Sequence, residues 1–328
     1  MRAPDFWWQE NPSFLARLLK PFGSLYGGAV LDRMDREGAR ASVPVICVGN
    51  PVAGGAGKTP AAAEIARLLL MAGRRPVFLT RGYGGALKGP VEVDLNRHDA
   101  SDVGDEALLL ALTAPCVVAH DRAAGAELAA RCGDVIVMDD GFQNAALQKD
   151  MSFLVLDSEV GIGNGLCIPA GPLRAPIEPQ LARADAVILV GDGSAADWLV
   201  QRRRPPVLRA RLVPDTKAAA HLKGKNVLAF AGIGRPQKFA GTLKGLGANV
   251  VRLAAFPDHH VFTQKDARVL LDEARAGRLM LVTTEKDSAR LAGSGLDELA
   301  DAAAVLPVRL AFDKARQVSA GLGKLFAE

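Results

Sequence analysis

Lys58 and Thr59 stand directly behind a glycine-rich run, Gly54-Gly55-Ala56-Gly57, which follows the apolar stretch Val45-Ile46-Cys47-Val48. A strand passing through glycines into a helix is the context that a phosphate-binding loop requires. Glycines let backbone N–H groups turn toward a polyphosphate, and a helix beginning near Pro60 adds partial positive charge. Lys58 then reaches the β and γ phosphates of a nucleotide, and the Thr59 hydroxyl suits Mg²⁺. Pro60 at the helix start costs no needed hydrogen bond. One position departs from the pattern G-x-x-x-x-G-K-T, because Val52 holds the place of its first glycine. An ordinary turn is the competing reading, and the displaced Gly54-Gly55 pair favours the cradle.

A second element supports the first. Val135-Ile136-Val137-Met138 is an apolar run ending in Asp139-Asp140-Gly141, the form of a carboxylate that holds Mg²⁺ directly or through water. Sequence does not divide that role between the two aspartates. Phosphoryl transfer also needs a positioned acceptor hydroxyl and a base near the γ-phosphate. Two segments offer one. Gly104-Asp105-Glu106 introduces the apolar helix Ala107 to Leu112, although it also reads as an acidic helix start favoured by the dipole. Phe256-Pro257-Asp258-His259-His260 follows a strand. Its neighbouring histidines point opposite ways, which suits a catalytic or orienting histidine better than a shared metal.

These residues need a frame. From residue 43, short β-branched runs alternate with Ala/Leu-rich stretches, as in a parallel α/β sheet. Strands are expected at Val43 to Val48, Pro76 to Thr80, Cys116 to Ala119, Val135 to Met138, Phe153 to Leu156 and Ala186 to Val190. A second series follows at Val227 to Ala231, Asn249 to Leu253 and Met280 to Thr283. Leu208 to Leu212 and Val305 to Ala311 alternate as half-buried strands and are expected to pair as a two-stranded connector. The fold class is therefore α/β: a P-loop NTPase-like parallel sheet with helices on both faces, plus a smaller inserted α/β domain. The expected division is 1–213, completed by 312–328, against 214–311.

The chain has 328 residues, 49% hydrophobic and 23% charged, which excludes disordered, collagenous and coiled-coil classes. Forty basic against 36 acidic side chains leave a formal charge of +4, too mild for a dedicated nucleic-acid binder. Four cysteines without a C-x-x-C pair suggest neither disulfides nor structural zinc, and imply a reduced, cytoplasmic protein. The start, Met1-Arg2-Ala3-Pro4-Asp5, lacks a secretory pattern, and no apolar run is long enough to span a bilayer. Arg202-Arg203-Arg204 before Pro205-Pro206 reads as a solvated loop. Aromatic residues crowd the first 26 positions: Phe6, Trp7, Trp8, Phe14, Phe22 and Tyr26. Phe14, Leu15, Leu18, Leu19 and Phe22 recur at helical spacing, with Pro21 expected to kink or divide the segment. Such a helix either packs on its own domain or lies at a membrane interface. Arg2, Arg17 and Lys20 against Asp5 and Glu10 leave the first 30 residues at net +1, so membrane binding would rest on apolar area more than on charge.

Taken in order, the motifs resemble a known family. They are Val48-Gly49-Asn50 with Gly54-Gly55-x-Gly57-Lys58-Thr59-Pro60; Thr80-Arg81-Gly82-Tyr83-Gly84-Gly85; Gly104-Asp105-Glu106; and Asp139-Asp140-Gly141-Phe142-Gln143. Pro169-Ala170-Gly171-Pro172-Leu173-Arg174, Phe256-x-Asp258-His259 and Thr284-Glu285-Lys286-Asp287 follow. Over nearly the whole chain the set is similar to the tetraacyldisaccharide 4′-kinases, the lipid A 4′-kinases of Gram-negative bacteria. The resemblance implies transfer of the ATP γ-phosphate, with Mg²⁺, to the 4′-hydroxyl of a tetraacylated glucosamine disaccharide. It places the enzyme peripherally, at the cytoplasmic face of the inner membrane, with no nucleic acid and no obligatory protein partner.

By the same resemblance Asp105 is the catalytic base, His259 its partner across the cleft, and Lys58 keeps its phosphate role. Gly54, Gly55, Ala56, Gly57, Lys58, Thr59 and Pro60 hold the nucleotide, and Thr59, Asp139, Asp140 and Glu106 are the metal candidates. Trp7, Trp8, Phe14, Leu18, Phe22, Arg81, Tyr83, Gln143 and Arg174 are the candidates for substrate or membrane contact. The chain departs from the family's habit at Ala107, where Pro is frequent, and at Ala175, where Glu is. The alternatives are a P-loop ATPase or GTPase switch and a kinase of a soluble small molecule. A partitioning ATPase would want Lys where Ala53 stands, and a guanine reader would want the Lys of Thr284-Glu285-Lys286-Asp287 one place earlier.

Overall fold

The computed structural model describes residues 3–202 and 204–327; Met1, Arg2, Arg203 and Glu328, with the readings that fall on them, lie outside the described residues. Thirteen strands are seen among them: β1 Val45–Gly49, β2 Pro76–Thr80, β3 Val91–Glu92, β4 Cys116–Val118, β5 Val135–Asp139, β6 Met151–Asp157, β7 Ala186–Val190, β8 Val207–Pro214, β9 Asn226–Ala231, β10 Asn249–Ala255, β11 Met280–Thr284, β12 Ala303–Leu306 and β13 Val308–Phe312. Nine form one sheet in the order β13-β8-β7-β6-β1-β5-β2-β4-β3, and four form another in the order β10-β9-β11-β12. All neighbours in the large sheet run parallel except the two edges, where β3 and β13 are antiparallel to β4 and β8.

Every residue of β1, β2, β5 and β7 is buried, which explains their continuous apolar runs: both faces of the sheet are covered. Helix α2, Lys58–Met71, packs on one face beside the helices Asp105–Ala111 and Ala315–Gly323. The helix Arg122–Cys132 covers the other. The small sheet is sandwiched likewise, by Gln264–Gly277 on one side and Pro236–Gly245 on the other. The expected α/β class is thus what the chain adopts.

Two expectations need correction. Val305 to Ala311 is not one strand: Pro307 lacks a ladder donor, and the segment splits there into β12 of the small sheet and β13 of the large one. The connector pair exists, with Val308 opposite Pro214 and Phe312 opposite Ala210, but it is no free ribbon. Because β8 also pairs with β7, the connector is the edge of the large sheet.

Helix α1, Phe14–Met34, is capped by the Ser13 hydroxyl, which accepts from the Ala16 N–H at 3.2 Å. Pro21 does not divide it. The helix docks through its small residues, Ala16, Gly23 and Gly27, with Val30. A Cβ on Gly23 would lie 2.5 Å from the Cys167 carbonyl oxygen, so only glycine permits this approach. The opposite face is left in the open: Phe14, Leu18, Phe22 and Leu25 are 84%, 62%, 64% and 76% exposed. Among the described residues no helix is long and apolar enough to cross a membrane.

Candidate active site

The cleft lies at the C-terminal ends of the parallel strands, where the chain switches from one side of β1 to the other between β5 and β6. It has a volume of about 770 Å³ and is walled by both sheets' loops, with Gly55 to Pro60 at its floor. Gly57 is the N-cap of α2 at φ 87°, a conformation in which a side chain is strained, so glycine suits the place where the loop passes into the helix. Val52 explains its own departure from the pattern. It is 3% exposed, bridges to Leu173 and packs with Cys167, so it anchors the loop from beneath. Gly54, at φ 123°, supplies the freedom instead.

The adjacent aspartates divide clearly. Asp139 is fully buried; its Oδ2 accepts from the Thr59 hydroxyl at 3.2 Å, while its Oδ1 has no hydrogen-bond partner. Burial, reinforced by Glu106 and Asp140 and opposed by Lys58 and Thr59, pushes its carboxyl up to about 7. An orphaned carboxylate oxygen beside a threonine hydroxyl suits a hard divalent cation, so Thr59 and Asp139 fit Mg²⁺. Asp140 turns away at φ 51° and forms a two-pronged pair with Arg174, at 2.8 and 3.1 Å, with Lys58 3.8 Å off. Burial would raise its pKa, but Lys58 and Arg174 outweigh that and lower it. Both oxygens of Asp140 are thus engaged by Arg174, with Lys58 nearby. Glu106 is engaged too, by the Lys286 ammonium at 2.6 Å, which overcomes burial to keep the carboxylate ionised.

Removal of the Asp139 charge has an expected signature. A carboxyl whose folded pKa is raised costs nothing below its ordinary 3.8, a growing amount up to about 7, and its full penalty above. Asp139→Asn in metal-free buffer is expected to raise Tm by roughly 2–5 °C at pH 8 and by less at pH 5. Thermal unfolding at the two pH values checks both size and sign.

Asp105 and His259 come together from different sheets. His259 Nδ1 lies 3.4 Å from Asp105 Oδ2, and Tyr83 meets the imidazole edge-on at 5.2 Å. His259 itself sits at φ 56°; of three non-glycine residues with positive φ among those described, it and Asp140 line this region. Arg290 is the member the motifs did not point to. Its Nε donates to Asp105 Oδ2 at 2.7 Å, its Nη2 pairs with the same oxygen, and its Nη1 donates to the Gly232 carbonyl and to Asp287 Oδ1 at 2.7 and 2.8 Å. Burial would raise the Asp105 pKa, but His259, Lys286 and Arg290 hold it far below the carboxylate range. The available clue was the i, i+3 spacing of Asp287 and Arg290 after Thr284-Glu285-Lys286.

Other candidates fall elsewhere. Gln143 donates to the Asn50 carbonyl and to Gln180 Oε1, both at 2.8 Å, so its amide braces the loop. Arg81 is exposed beyond β2, and Tyr83, also exposed, stays at the site through its contact with His259. Trp7 and Trp8 do not share the open face of α1. They sit part-buried in a short 3₁₀ turn, where the Trp7 indole donates to the Pro169 carbonyl at 3.0 Å. Ala107 and Ala175 are both buried, and Ala175 accepts on its carbonyl from Gln180.

A family model described as tetraacyldisaccharide-1-P 4′-kinase matches residues 15–326. The tetraacyldisaccharide 4′-kinase of Methylobacterium sp. (strain 4-46) is 55% identical over 315 residues, covering 95% of this chain and 93% of that one. The enzyme of the same name from Rhodopseudomonas palustris (strain BisB5) is 55% identical over 295 residues, covering 89% and 87%. Among solved structures, "apo" form LpxK from Aquifex aeolicus in complex with ATP superposes with a TM-score of 0.75 at 26% identity, covering 96% of this chain and all of that one. With the cradle, the buried acid and the cross-cleft pair in place, the chain belongs to the tetraacyldisaccharide 4′-kinase family.

Proposed function

We infer that the protein transfers the γ-phosphate of ATP to the 4′-hydroxyl of a tetraacylated glucosamine disaccharide that carries a 1-phosphate, a step in lipid A biosynthesis. The observation that carries this reading is the meeting of Asp105 and His259, whose chain neighbours Glu106 and Asp258 line the cleft floored by Gly55 to Pro60. In the proposed mechanism, backbone N–H groups of that loop and the Lys58 ammonium bind the β and γ phosphates. Thr59 and Asp139 would hold Mg²⁺, whose chemistry is to neutralise charge on the phosphate oxygens. Asp140 keeps Lys58 and Arg174 in place. Asp105 accepts the proton of the 4′-hydroxyl, with its carboxylate aimed by Arg290 and faced by His259. A weak base suffices, because in a loose phosphoryl-transfer transition state the acceptor oxygen gives up its proton late. The test is γ-phosphate transfer from ATP to the purified tetraacylated disaccharide 1-phosphate, against water alone. Hydrolysis without transfer would favour the ATPase alternative.

The division into 1–213 with 312–328 and 214–311 is proposed as the pair of bodies that close on ATP. For localisation we propose the cytoplasmic face of the inner membrane, reached through the open face of α1. Phe14, Leu18, Phe22 and Leu25 would enter the headgroup region while the glycine face stays docked. Serine at all four positions is expected to reduce liposome co-sedimentation by about tenfold or more with Tm unchanged, and the wild-type binding should survive high salt. Equal sedimentation of both forms would return α1 to a purely structural role.

A further inference from the structure

The two sheets of this protein are joined by the strands β8 and β13 and are bridged across the cleft by ion pairs of a consistent polarity. Among the described residues, the bridging cations come from the small body and the carboxylates from the large one. On one side of β1 these are Arg290 with Asp105 and Lys286 with Glu106, already placed in the proposed chemistry. On the other side lies a second set with no role so far. Asp157, at the end of β6, and Glu159, just beyond it, face Arg235 and Lys238 at the start of the helix Pro236–Gly245. Arg235 Nη1 is 3.0 Å from Asp157 Oδ2 and 2.8 Å from Glu159 Oε2. Lys238 Nζ is 3.3 Å from Asp157 Oδ2 and 3.4 Å from Glu159 Oε1. Asp157 is nearly buried, and its other oxygen accepts from the Glu159 N–H at 2.9 Å, so the receiving acids are fixed before the cations arrive.

We propose that Asp157, Glu159, Arg235 and Lys238 form a closure clamp: positioning residues that hold the small body over bound nucleotide on the side of the cleft away from the transfer chemistry. This rests on the reading of the cleft as an ATP site. The pairs join residues distant in sequence and carried by different sheets, so they exist only when the two bodies are together. A nucleotide that binds the closed form is then held more weakly by whatever factor the closed population falls when the pairs are lost. Four charges sharing contacts act as a network, which is worth more than one isolated surface pair. The four residues line the same cavity as Lys58 and Thr59, on the other side of β1 from Asp105, so loss of the clamp should fall on nucleotide affinity and KM rather than on kcat at saturation.

The test uses the full chain and a non-hydrolysable ATP analogue with Mg²⁺, titrated calorimetrically against the wild type, Arg235→Glu, Glu159→Arg and the two together. Both altered residues are solvent-accessible, at 29% and 50% for the side chains, so the fold is retained. Each single change is expected to weaken binding by roughly 3- to 30-fold. The double change, which restores an alternating set of charges, is expected to return within about threefold of wild type. Glu159→Arg separates the clamp from direct attraction: an added cation that simply met the phosphates would tighten binding, whereas a broken clamp loosens it. Solution scattering with saturating analogue should show less compaction in the single variants. Tighter binding by Glu159→Arg, unaltered binding in both singles, or double losses equal to the product of the singles would each overturn the clamp. A wild type that binds no analogue would sink the ATP reading itself.

Discussion

Lys58→Ala should leave a folded protein with essentially no turnover, a loss of roughly a thousandfold or more. The side chain is 10% exposed and its structural tie is a single 3.8 Å approach to Asp140, which keeps its two-pronged bond to Arg174 when Lys58 is gone. Stability is therefore expected to hold while the charge proposed to meet the β and γ phosphates is lost. Circular dichroism and thermal unfolding establish the fold, and a radiolabelled ATP assay establishes the rate. Near-normal transfer by a folded variant would remove the cradle from the mechanism.

Asp105→Ala and His259→Ala should each lower kcat by about 10²- to 10⁴-fold, with a much smaller effect on KM for ATP, because the proposed mechanism sets both at the acceptor rather than at the nucleotide. Their contact at 3.4 Å makes them a single unit, so the double variant should lose far less than the product of the two single losses. Loss of Asp105 also frees two nitrogens of Arg290, which would then keep the Gly232 carbonyl, Asp287 and the His259 imidazole as neighbours. Arg290→Lys is the informative companion, since a lysine keeps the charge but cannot span Asp105, Gly232 and Asp287 at once. Single and double variants assayed at saturating ATP decide the matter, and fully multiplicative losses would mean two independent roles.

How much of this was written in the chain depends on how locally each feature is encoded. The cradle was legible because strand, glycines, lysine and helix are contiguous from Val45 to Thr59. The central strands were legible because burial on both faces demands unbroken apolar runs. Asp105 and His259 could be nominated separately, but their contact depends on how two sheets meet, and no periodicity reports that. Arg290 and Arg235 read as ordinary helix-terminal cations until the facing carboxylates are seen. The orientation of α1 was left open by the sequence, between packing on its own domain and lying at an interface. Large apolar residues at helical spacing fit either reading, and here Ala16, Gly23 and Gly27 face inward, the two glycines allowing close approach to Cys167. The pair Asp139 and Asp140 was undivided in sequence, and a backbone turn at Asp140 to φ 51° separates them.

The crossing from one sheet to the other has a consequence for how such a protein can change. The chain leaves the large sheet after Pro214 and re-enters it at Val308, directly opposite, with the Asp215 N–H donating to the Pro307 carbonyl at 2.8 Å. Entry and exit are thus neighbours, and everything between them is, topologically, a very long hairpin loop hung on an edge strand. Lengthening a loop whose ends are already fixed costs entropy only logarithmically. The small body can therefore gain or lose turns, thicken its outer helices or trade surface charge while the nine strands of the large sheet keep their register, so the two halves are free to drift at different rates.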